Sequence, residues 1–140
     1  MVKKQTITET KELESLVEIW QTLTPEEQVY LKENFFVQHF KKNEIIHYEG
    51  DKPTHMMCLV RGKVKIYKEG VGGRNQIVRI MQPVSYFAYR AMFIDGNYNT
   101  TACAFESASV VLIPKDVILK LIHQNLNLCF FFIIQQSRTT

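Results

Sequence analysis

Cysteine is scarce in this sequence and poorly spaced for chemistry. Cys58, Cys103 and Cys129 stand far apart among apolar neighbours, and no pair has the Cys-x-x-Cys spacing of a metal or redox site. They read as buried thiols. His39, His47, His55 and His123 show neither His-x-His nor His-x-x-x-His spacing, so no metal is expected. No Ser/His/Asp, Cys/His or paired-carboxylate arrangement is visible by spacing, and the chain reads as a non-enzyme. Charge of one sign is also lacking. The net charge of +3 comes from dispersed Lys and Arg, with doublets at Lys3-Lys4 and Lys41-Lys42, which is a matter of solubility more than a nucleic-acid footprint. Nor is there a long hydrophobic run. The longest, within 126–136, is about nine residues, against the ~20 that cross a bilayer. The N-terminus, Met-Val-Lys-Lys-Gln-Thr, leads into a charged amphipathic stretch and not an apolar signal segment. These absences point away from membranes and towards the cytoplasm.

What is present is one domain's worth of core: 140 residues, 46% of them apolar. Helices are expected over 1–34. Leu13, Leu16, Val17, Ile19, Trp20 and Leu23 keep one apolar face of a helix over 12–23. Leu23-Thr24-Pro25-Glu26-Glu27 is a helix start, with Thr24 as cap, Pro25 at the first helical position and Glu27 closing a capping box. From 35 to 113 the pattern changes to short β-rich runs, at about 36–40, 44–48, 56–60, 63–68, 76–81, 99–105 and 109–113, mostly separated by turn signals. Many short strands so closely spaced predict a sandwich or small barrel. Ile77-Val78-Arg79-Ile80 is apolar on both faces, as where a sheet closes or is covered. Pro114-Lys115-Asp116 opens a helix with Val117, Ile118, Leu121 and Ile122 on its apolar side. The segment 126–136 follows, a helix apolar on every side that needs cover beyond what the barrel supplies. A two-fold homodimer through Leu126, Cys129, Phe130 and Ile133 is expected. The sequence ends where such a helix would normally continue, and truncation is expected.

The functional reading turns on 86–104. It reads as a short apolar helical turn, a Gly-Asn turn and a strand, an arrangement in which a helix N-terminus and backbone N–H groups can face an anion.

Taken in order, the Leu-Thr-Pro-Glu-Glu helix, Phe-Lys-Lys-Asn-Glu-Ile-Ile-His-Tyr-Glu-Gly-Asp, Val-Arg-Gly-Lys-Val-Lys-Ile-Tyr-Lys-Glu, Arg-Ile-Met-Gln-Pro, Phe-Ala-Tyr-Arg-Ala-Met-Phe and Val-Leu-Ile-Pro-Lys-Asp resemble the cyclic-nucleotide-binding-type sensor domain of the Crp/Fnr superfamily of bacterial transcription regulators. The resemblance runs from about Leu16 to Gln136. It implies a double-stranded β-helix, or jelly-roll, barrel, mainly β with flanking helices, in one domain spanning 1–140. The helices from 114 would precede a DNA-binding helix-turn-helix that this chain does not contain. Gly50 and Gly62 sit where barrel turns need positive φ, and Gly96 in the turn after the cassette helix.

The resemblance also shows where the cassette has changed. Members that bind cyclic AMP carry Phe-Gly-Glu and, later, Arg-Ser-Ala or Arg-Thr-Ala. The glycine lets backbone approach the phosphate, the Glu takes the ribose hydroxyl and the Arg pairs with the phosphate. The matching residues are Phe87, then Ala88 for the glycine, Tyr89 for the Glu and Asn99 for the Arg, followed by Thr100 and Thr101; Arg90 is the cassette's own cation. Tyr89, turned inward, would fill the ribose space. The pocket is therefore expected to hold an unknown small-molecule effector beside these residues, and not cyclic AMP in the usual manner. No cofactor is expected: iron–sulfur ligation lacks N-terminal cysteines and haem is not supported. In a full-length product the resemblance implies DNA contact through the missing domain, and contact with RNA polymerase. A nucleotide-sensing module of kinase or channel type, stand-alone or fused, stays open as the alternative. A cupin-like metalloenzyme is less favoured, because His47-Tyr48-Glu49 followed by His55 matches its ligand spacing poorly.

Overall fold

A computed structural model describes residues 7–138. Residues 1–6, with the Lys3-Lys4 doublet, and 139–140 lie outside it. The apolar stripe at 13–23 forms two short helices instead of one: α1 (Ile7–Glu14) and α2 (Val17–Thr22). They break at Leu16, whose φ of −79° and ψ of 60° leave the helical region. Just before the break the Ser15 hydroxyl donates to the Glu12 carbonyl. The reason is burial. The kink puts Leu13, Leu16, Ile19 and Leu23 together in the core and turns Val17 out to solvent. Helix α3 (Pro25–Lys32) starts with the expected capping box: the Thr24 hydroxyl accepts from the Glu27 N–H at 3.2 Å and the Glu27 carboxylate accepts from the Thr24 N–H at 2.9 Å.

Eight strands follow: β1 (Phe36–Phe40), β2 (Ile45–His47), β3 (His55–Arg61), β4 (Val64–Glu69), β5 (Asn75–Met81), β6 (Ser85–Phe87), β7 (Thr101–Ala104) and β8 (Ala108–Pro114). They form two antiparallel sheets with strand orders β1-β8-β3-β6 and β2-β7-β4-β5, the jelly roll that the resemblance implies. Period-two alternation serves two cores at once. On β3, Met57 and Leu59 join the core between the sheets with Phe40, Val64, Ile66 and Val110. Met56 and Cys58 face the helices with Leu13, Leu31, Val111 and Ile113. Gly62, at φ +86°, turns β3 into β4 where an added Cβ would stand 2.1 Å from the Ser107 carbonyl oxygen.

Two expectations are corrected here. Tyr86 and Phe87 belong to strand β6, paired with Cys58 and Met57, and not to a helical turn. Strand β5 is not covered: it is the edge beyond β4, and Ile77, Val78 and Ile80 are exposed because no described element packs outside it.

Helix α4 (Tyr89–Phe93) lies between β6 and β7, and α5 (Lys115–Gln124) and α6 (Leu126–Arg138) close the chain. Leu128 and Phe132 of α6 are buried against the domain, whereas Leu126, Phe130, Ile133 and Ile134 are 50–69% exposed and Cys129 is half-buried. The helix thus has one face on the core and an apolar face in solvent. Among the described residues no single helix is long and apolar enough to cross a membrane; α5 and α6 pass only as a pair bent by 115°.

Candidate functional site

Strand β6 ends at Phe87, and the chain turns through Ala88 into α4. Ala88 has φ 68° and ψ 6°, a left-handed conformation natural to glycine, so the backbone keeps its bend while carrying a methyl group. Helix α4 has five residues and its first turn has no side-chain cap. The loop after it is drawn back to the β2–β3 turn by two backbone bonds: Tyr98 N–H donates to the Asp51 carbonyl at 2.9 Å and Gly50 N–H to the Tyr98 carbonyl at 2.8 Å. Gly96 N–H donates to the Ala91 carbonyl at 2.8 Å and closes the helix.

These segments, with residues of β2, β4 and β5, surround a cavity of about 250 Å³. Of the seven residues expected at the pocket, Phe87, Ala88, Tyr89, Arg90, Asn99 and Thr100 border it. Thr101 does not: it is fully buried, and its hydroxyl accepts from the Glu49 N–H at 2.9 Å. Tyr89 borders the cavity, but its ring packs on Phe93 at 5.8 Å and on Phe132 of α6 at 5.6 Å, in the helix-side core. The ring is thus turned towards α6 and not into the space that the resemblance gives to the ribose. The aromatic surface of α6 offers that ring more burial than the open cavity does.

The sequence reading missed the opposite wall. His47, at the end of β2, stacks on Tyr98 with ring centroids 3.8 Å apart and planes 14° from parallel, and both rings are buried. Burial pushes the His47 pKa down to about 4, against the opposing pull of Asp51 and of a hydrogen bond to the Thr100 backbone, so the imidazole is neutral. Its Nδ1 has no hydrogen-bond partner. Burial, with Asp51 assisting, pushes the Tyr98 phenol up to about 12. Ile66, Val78 and Arg79 complete this side from β4 and β5. The one local signal for His47 was its place at the end of a β-rich run; its stacking partner lies 51 residues on, beyond the reach of any spacing rule.

His47 and His55 do not converge. His55 lies in the other sheet, hydrogen-bonded to Thr54 at 2.9 Å and edge-on to Phe36. Among the described residues no three His, Cys, Asp or Glu side chains are placed to hold a metal.

Comparison with known proteins gives the same outline. The family model for the cyclic nucleotide-binding domain matches residues 37–125. An HTH-type transcriptional regulator, ArcR of Staphylococcus epidermidis, is 27% identical over 62% of this chain and 38% of its own length. The cyclic AMP receptor protein of Thermus thermophilus is 22% identical over 73% of this chain and 47% of its own. The chain thus spans about half or less of these curated relatives. The sensor domain of the transcriptional regulator DNR from Pseudomonas aeruginosa superposes with a TM-score of 0.80 at 22% identity, covering 94% of this chain and 88% of that one. The catabolite activator protein of Thermus thermophilus superposes at 0.74 with 20% identity, over 86% and 57%.

Proposed function

Because this chain belongs to the cyclic nucleotide-binding domain family, a family of regulatory domains and not of enzymes, we propose that it is the effector-sensing and dimerising domain of a Crp/Fnr-type transcription regulator whose cassette does not take cyclic AMP in the usual manner. The observation that carries the reading is the state of the cassette. The backbone keeps the bend at Ala88 and the cavity remains, while Asn99 stands at the cavity where the resemblance places the phosphate's arginine. Tyr89, at the place of the ribose-binding carboxylate, has its ring committed to Phe93 and Phe132. The pocket shape is retained and its phosphate chemistry is not. On this reading DNA is contacted through a separate domain of the full-length product, where RNA polymerase would also be met, and the protein works in the cytoplasm.

A desolvated phosphate without its charged partner loses about 2–5 kcal/mol, roughly thirty-fold to several thousand-fold in affinity. Isothermal titration with cyclic AMP should therefore show no saturation in the low micromolar range. A low-micromolar dissociation constant abolished by Asn99→Ala would overturn the proposal.

A further inference from the structure

We infer that the hairpin of β4 and β5 is a docking edge for an extended acidic segment of another protein, which adds as a further strand beside β5 and lays its apolar side chains on Ile77 and Ile80. This role is independent of what the pocket holds. The edge is free and long. Four strands end the two sheets, and β5 is the longest of them, with seven residues against five in β1 and three each in β2 and β6. Among the described strands only β4 pairs with it, so the backbone N–H and C=O groups along its outer side face no partner strand. Such a row of groups is a template for a further strand.

The side chains along that edge are patterned for one. Ile80 stands opposite Lys65 and Ile77 opposite Tyr67, while Arg79 stands opposite Ile66. Val64 and Ile66 belong to the core between the sheets, so alternation puts Lys65, Tyr67, Ile77 and Ile80 together on the outer face and Arg79 on the other. The register shifts between Ile66 and Tyr67, which leaves Val78 without an opposite residue. Ile77 and Ile80 are 56% and 44% exposed. A strand beside β5 would cover both with its alternate residues.

Charge specifies the rest of the partner. Residues 63–81 carry Lys63, Lys65, Lys68, Arg74 and Arg79 against a single acid, Glu69, so this one hairpin holds more positive charge than the net +3 of the whole chain. Cations that the sequence spaces out are gathered by the pairing of β4 with β5. Among the described residues no ion pair involves any of them. Opposite charges across a strand pair are favourable and like charges are not, so the strand that fits carries Asp or Glu between its apolar residues. A nucleic acid would answer the cations but neither the isoleucines nor the backbone edge; a peptide answers all three.

Fluorescence anisotropy with a labelled peptide of alternating Val and Glu, about ten residues long, tests this against the same pattern with Lys for Glu and against oligothymidylate. The Val–Glu peptide should bind saturably with a dissociation constant of about 100 μM or tighter, and the Val–Lys peptide should not bind. On saturation amide hydrogen exchange should slow in 75–81, while the other edges, β1, β2 and β6, keep their rates. Ile77→Thr combined with Ile80→Thr keeps β-branched residues on the strand and should weaken binding at least about tenfold, as should Lys68→Glu combined with Arg74→Glu. Silence of the Val–Glu peptide at millimolar concentration, equal binding of the Val–Lys peptide or of oligothymidylate, protection on another edge, or variants that bind unchanged would each overturn the inference. So would dissociation of a dimer by the paired isoleucine substitutions, since a second copy would then hold the edge.

Discussion

At His47 one imidazole couples the pocket to the stability of the fold. Burial holds its pKa at about 4 against 6.5 in solvent, with Asp51 and the Thr100 backbone pulling the other way and Arg79 and Arg90 bordering the same cavity. Between those two values the unfolded chain takes up a proton that the folded chain refuses. The contribution of His47 is therefore complete above pH 6.5 and is lost as pH falls towards 4; the full shift corresponds to about 3 kcal/mol. Urea denaturation from pH 7 to pH 4 should show that loss in the parent protein and a smaller one, by roughly that amount, in His47→Phe. Parallel losses in the two proteins would assign the acid sensitivity to other groups. Ala88 is a second residue whose neighbourhood overrides its type: a methyl-bearing residue sits at φ 68° because β6 must turn into α4 there.

Between elements, the decisive contact is a carboxylate from the N-terminal helices reaching the C-terminal pair. Glu27 of α3 is 6% exposed; Gln124 at the end of α5 donates to it at 2.9 Å, and Asn125 at the elbow donates at 2.8 Å. The same Asn125 amide donates to the Thr22 carbonyl at 3.0 Å, and its side-chain oxygen caps α6 by accepting from the Leu128 N–H at 3.0 Å. Burial pushes the Glu27 pKa up, but the Thr24 backbone N–H, Gln124, Asn125 and the Thr24 hydroxyl together outweigh it, and the net direction is down. This carboxylate accordingly adds stability above its ordinary range, which is lost as pH falls through the lowered value. Glu27→Ala strands the Thr24 N–H and two amide donors at once and should cost about 2–4 kcal/mol in chemical denaturation. A loss below ~0.5 kcal/mol would show that water replaces the carboxylate freely. The capping box itself was legible from Thr24 to Glu27, a separation of three residues; the bond from Glu27 to Asn125 spans 98 and was not.

For the molecule as a whole, α6 is half a core helix. Leu128 and Phe132 are buried, Cys129 is half-buried, and Leu126, Phe130, Ile133 and Ile134 form an apolar face in solvent. We expect a second copy to cover that face about a two-fold axis, since a self-complementary apolar patch closes an assembly at two subunits. Sedimentation should show a dimer at micromolar concentration, and Phe130→Asp combined with Ile133→Asp should raise its dissociation constant at least about tenfold. A parent chain that sediments as a monomer at high micromolar concentration would refute the dimer.

The sequence by itself determined whatever depends on neighbours a few residues apart: the capping box at Thr24, the strands with polar–apolar rhythm, the positive-φ glycines at 50 and 62, the helix at Lys115 and the position of the cassette. Such features are legible because their energetics are local. Tertiary structure alone decided what depends on competition for burial. It broke 12–23 into two helices so that Leu16 and Ile19 both reach the core, drew Tyr86 and Phe87 into a strand on β3, left β5 uncovered, and turned the Tyr89 ring towards α6. It also assembled the wall of His47, Tyr98 and Arg79, three residues scattered over 52 positions that only the pairing of β2, β7, β4 and β5 brings to one cavity. Spacing along the chain encodes helices and strands; which side chains share a space is fixed by long-range pairing and by the exclusion of water.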